Sequence, residues 1–147
     1  MKNPITIGTK TIDAANVVAI KPMTQERLSG INTDKNFTAE IRALGSPGAF
    51  VEKHSVAEIV AAFKQHGEDL TLLPTGEAIR TGERWMLAIT AFSERPGGKF
   101  GSSVQMKNPH NGATGEERFA ARPEQIPGGD APTLDSLVAQ GPVKGVA

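Results

Sequence analysis

NFTAEIRALGSPGAFVEKHSVAEIVAAFKQH, residues 36–66, carries the three signals that decide the fold. In its first part Phe37, Ala39, Ile41 and Ala43 alternate with Thr38, Glu40 and Arg42, the period of a strand with one buried face. Gly45-Ser46-Pro47-Gly48 follows, with two residues that tolerate positive φ and one that fixes φ, so the chain is expected to reverse into a second strand over residues 49–52. Ser55 then stands three residues before Glu58: the hydroxyl can accept from an early helix N–H while the carboxylate reaches back to the N–H of the cap. Val56, Ile59, Val60 and Phe63 recur at three- and four-residue steps, which places them on one face of a helix ending near His66-Gly67. A lone hairpin and a short helix are each marginal in water, so each needs the apolar face of the other.

Upstream, Ile5–Ile7 and Lys10–Ile12 are two short β-prone pieces around Gly8-Thr9. Residues 16–21, NVVAIK, are apolar on both faces and read as a central strand ending before Pro22. Residues 22–35 read as a polar connection with one helical turn near Gln25–Leu28. Downstream, Leu70–Leu73 and Ala78–Arg80 read as short strands, and residues 84–92 as the longest strand, with both faces largely covered. Val104–Met106 is its expected return, after a glycine-rich loop at 93–103. Beyond Lys107 turn-forming residues dominate, with short helical turns expected at 116–121 and 134–140.

The chain has 147 residues, 38% of them hydrophobic, enough for one domain with a buried core. Its formal charge is zero, so the general attraction to phosphate that supplies nonspecific duplex binding is missing. Cysteine is absent, which excludes thiol nucleophiles, disulfides and Cys-based zinc sites. Without an apolar leader or a run long enough to span a bilayer, the sequence reads as soluble and intracellular, with no membrane partner.

The three histidines, His54, His66 and His110, have no HExxH or comparable spacing, so no metal site is expected. No serine stands in a G-x-S-x-G elbow, and the adjacent carboxylates Glu68-Asp69 and Glu116-Glu117 read as solvated charge. We therefore expect no catalytic residue, no enzymatic activity and no cofactor. The most suggestive chemical feature is the 93–103 loop: backbone N–H groups around Gly97 and Gly98 could cradle an anion, with charge from Arg95 and Lys99, a stacking face from Phe100 and a hydroxyl from Ser102. It lacks the order of a Walker A loop, and a solvated hairpin loop accounts for the same composition.

These readings predict an α+β domain over residues 1–106: a small antiparallel sheet of five to seven short strands with one amphipathic helix packed on it. An extended Gly/Pro-rich C-terminal arm is expected over 107–147, which composition cannot hold in place by itself. The contrast predicts a non-enzymatic assembly or accessory protein, docked by its sheet and arm onto copies of itself, onto protein partners, or into a larger particle such as a virion. Trp85, Phe119, Ile126, Leu134, Leu137 and Val138 are the candidate interface residues. The alternative is a regulatory module that binds a nucleotide or single-stranded nucleic acid through the 93–103 loop.

Overall fold

The computed structural model describes residues 2–31, 35–93 and 100–127. Within them the chain runs β1 (Pro4–Ile7), β2 (Lys10–Asp13), β3 (Val17–Pro22), α1 (Gln25–Gly30), β4 (Phe37–Ala43), β5 (Ala49–Glu52), α2 (Val56–Gln65), β6 (Thr71–Leu72), β7 (Ala78–Ile79), β8 (Met86–Ser93), β9 (Phe100–Lys107) and β10 (Thr114–Phe119). The strands form three antiparallel sheets where one was expected: β1-β2, the five-stranded β5-β4-β3-β7-β6, and β10-β9-β8. The content is α+β.

The apolar run of β3 explains the layering. Val17 and Ile20 enter one core with Ile41, Val51, Ile59 and Phe63, while Val18 and Ala19 enter a second with Ile79, Val104, Met106 and Phe119. A register shift against β4 between Val17 and Ala19 accompanies this division. The five-stranded sheet thus has α2 and the β1-β2 hairpin on one face and the three-stranded sheet on the other. A continuous hydrophobic strand is stable at such a doubly covered position.

The 36–66 unit forms as its residues dictate. The β4–β5 register pairs Ile41 with Ala49 and Ala39 with Val51. Ser55 Oγ accepts from Glu58 N at 3.2 Å and Ser55 N donates to Glu58 Oε1 at 3.3 Å, the reciprocal capping box. Val56, Ile59 and Phe63 are buried beneath the helix. In the turn, Gly45 adopts φ +80°, but Gly48 serves a different need. A Cβ there would run into the Ile41 carbonyl, so glycine lets the two strands approach.

Three buried charged side chains tie the layers together. Asp13 accepts from the backbone N–H groups of Lys2, Asn3 and Ala15 at 3.0–3.1 Å, closing the base of the first hairpin. Arg80 donates to Val17 O, Ala14 O and Glu68 Oε1 at 2.8–3.0 Å and lies over the Trp85 ring, 4.7 Å from its centroid. Glu77 accepts from Ala120 N and Ala121 N, holding the chain that leaves β10. Every one of these carboxylates and guanidinium N–H groups thereby replaces the water it lost.

Downstream of residue 106 the structure departs from the sequence reading. The expected division falls inside β9, and residues 114–119 form a strand paired with it, with no helical turns at 116–121. In TGEERF only alternate positions turn inward, and one of those is Glu117, so the apolar alternation that marks a strand is hidden. Residues 128–147, including the helical turn expected at 134–140, lie outside the described residues.

Candidate functional site

The residues singled out in the sequence divide into three groups. Arg95, Gly97, Gly98 and Lys99 lie outside the described residues, as do Leu134, Leu137 and Val138. Ser102 is fully buried and its hydroxyl donates to Ala121 O at 2.7 Å, so it is a packing residue and unavailable to a ligand. Phe100 pairs with Ser93 at the start of β9. Phe119 and Ile126, 3% and 1% exposed, belong to the second core and offer no surface to a partner. Trp85 precedes β8 instead of opening it; it is half-buried, beneath Arg80 and edge-on to His110 with ring centroids 5.6 Å apart.

His54 and Glu58 do meet, Nδ1 to Oε2 at 3.4 Å, but both are exposed and the carboxylate is also held by Ser55. The backbone N–H of Ser55, then the His54 ring, hold the Glu58 carboxyl below its ordinary value. No cluster of three or more metal-ligating side chains occurs among the described residues. Nor is any helix among them long and apolar enough to cross a membrane.

A partly buried ion-pair network, centred on the buried Glu117, joins the two larger sheets. Arg42 on β4 contacts Glu117 on β10 at 2.8 Å, Lys21 on β3 approaches the same carboxylate at 3.7 Å, and Glu40 bridges Arg42 and Arg27 at 3.2 and 3.1 Å. Lys21 also donates to Arg118 O and lies over the Phe119 ring. Burial draws the Lys21 ammonium below the usual lysine value, against the pull of Glu117 and Glu77. Each charge has a partner, so the network positions sheets and leaves no unpaired group for chemistry.

Among the described residues two surfaces stand out. The first is β8, which was read as covered on both faces. It stands at the edge of the three-stranded sheet, and only β9 pairs with it among the described residues. Its sequence, MLAITAFS, has no charged side chain. Leu87 is 57% exposed, Ala88, Thr90 and Ala91 are exposed, and Met86, Ile89 and Phe92 are half-buried. The guanidinium of Arg118 covers Phe92 at 4.3 Å, and the 3-10 turn Pro123–Gln125 lies nearby. Apolar alternation located the strand correctly; what covers it depends on tertiary neighbours that alternation does not encode.

The second surface is a cleft of about 830 Å³ between the β1-β2 hairpin, the β4-β5 pair and α2. Its apolar lining includes Ile5, Ile7, Ile41, Val51, Ile59 and Phe63, and its rim carries Lys10, Lys53 and His54. Lys53 adopts φ +73°, a conformation that is costly for a side chain bearing Cβ, as the chain swings from β5 into α2. The sequence joins α2 to the β4-β5 pair but does not place the β1-β2 hairpin beside them or signal a gap.

No family model matches the chain, and no curated protein or solved structure shows significant similarity to it.

Proposed function

We propose that the chain is a non-enzymatic assembly protein whose copies join edge to edge through β8. One observation carries this reading: β8 is an eight-residue edge strand that bears no charge and leaves Leu87 in water. Edges of soluble sheets are ordinarily blunted by charge, proline or shortness, because a row of unpaired N–H and C=O groups recruits another strand. MLAITAFS has neither charge nor proline; its one such device is a register shift between Met86 and Ala88, after which regular pairing with β9 runs from Ala88 to Ser93. A second copy suits the strand because antiparallel pairing of a neutral segment with itself opposes no like charges. The result would be a continuous sheet of two β10-β9-β8 units. The C-terminal arm, with Leu134, Leu137 and Val138, adds further apolar contact in this reading, on the strength of its sequence alone.

Sedimentation of the full chain over a concentration series tests the proposal. Reversible self-association is expected, and Leu87→Lys should abolish it while leaving the circular dichroism spectrum unchanged, since Leu87 belongs to neither core. A chain monomeric at every concentration, or association that survives Leu87→Lys together with Thr90→Lys, would overturn it.

A further inference from the structure

We propose that the cleft beside α2 takes an extended peptide segment, which adds to the free edge of β5 as a sixth strand of the central sheet. β5 is the terminal strand in the order β5-β4-β3-β7-β6, and only β4 pairs with it among the described residues. Val51 O accepts from Thr38 Oγ1 at 3.1 Å and so faces β4. Along a strand the backbone polar groups alternate sides, so those of Phe50 and Glu52 face away from β4. Both residues line the cleft. The opposite wall is α2, through Ile59 and Ala62, and the floor is apolar. Strand edge, apolar floor and flanking helix together form the arrangement in which a peptide gains main-chain hydrogen bonds at one wall and side-chain burial at the other.

The dimensions and charges narrow the occupant. β5 spans four residues, so about four residues of an added strand can pair with it. A volume of about 830 Å³ lies within the range of pre-formed ligand sites. Alternate side chains of a strand point to opposite faces, so one set enters the floor and the other meets the rim. Around the cleft Lys10, Lys35 and Lys53 stand against the carboxylates Glu52 and Glu58, and Glu58 is itself held by Ser55 and His54, so the balance is cationic. The chemistry selected is therefore an extended segment, apolar at alternate positions and acidic between them. This site is separate from the β8 edge, and its occupant need not be another copy.

The probe is the capped hexapeptide acetyl-Val-Glu-Val-Glu-Val-Glu-amide, titrated into the ¹⁵N-labelled full chain. Saturable shifts are expected at the cleft residues, with slowed hydrogen exchange at the amides of Phe50 and Glu52, the signature of a paired strand. Ala62→Trp, at an exposed helix position, should fill the cleft and weaken binding at least about tenfold. Replacing the glutamates of the probe by lysines should weaken it similarly. If Ala62→Trp fails to fold, the exchange of Phe50 and Glu52 in the unaltered chain still decides. Absence of binding, binding without amide protection, or saturable binding of decanoate in its place would each overturn the proposal. None of these outcomes bears on association through β8.

Discussion

At the scale of single residues, the structure depends on buried charges whose partners are mostly backbone. Asp13 shows the consequence for pH. Burial alone would raise its carboxyl, but the N–H groups of Lys2, Asn3 and Ala15 outweigh burial and hold it below the ordinary aspartate value. A carboxyl depressed in the folded state contributes stability above its unfolded value and loses it as pH falls through the folded one. Asp13→Asn should therefore cost about 2 kcal/mol in urea unfolding at neutral pH. The difference from the unaltered chain should shrink below about pH 4; a difference that stays constant into acid would show that the charge is not what matters. Asp13 drew no notice in the sequence because its partners are backbone groups, which have no residue-type signature. Arg80 was missed for the same reason, since two of its acceptors are the carbonyls of Ala14 and Val17. Trp85, by contrast, stood out by type, and its place under that guanidinium accounts for it as a packed side chain.

Among elements, legibility followed the range of the interactions involved. The β4-β5 hairpin and α2 were readable because alternation, turn residues and capping box all act within a few residues. β10 was not, since its inward Glu117 makes sense only with Arg42, 75 positions earlier in the chain. The turn glycines give a direct test of the local account. Gly67, just past α2, has φ +81° and open space around it, so Gly67→Ala should cost about 1 kcal/mol through backbone conformation alone. At Gly48 the conformation is ordinary but a Cβ would meet the Ile41 carbonyl, and the strands would have to part. Gly48→Ala should cost about 2–3 kcal/mol by thermal or urea unfolding, more than Gly67→Ala. The reverse order would mean that the hairpin approach is looser than described.

At the scale of the whole molecule, the central sheet has a core against each face, and two margins stand out among the described residues: the β5 edge with its cleft and the β8 edge of the outer sheet. Exposure was poorly legible in the sequence: Phe119 and Ile126, expected at an interface, are core, while Leu72 and Leu87, ordinary strand residues by type, are the large apolar side chains in water among the described residues. Whether an apolar residue is buried is settled by what the rest of the chain places over it. Copies that join at the β8 edge must protect its backbone as they associate. Amide hydrogen exchange over residues 86–92, compared between dilute and concentrated full chain, tests it most directly. Exchange should slow at alternate β8 amides as concentration rises, and Leu87→Lys should remove the effect; association that leaves β8 exchange unchanged, or no association at all, would contradict joining at β8.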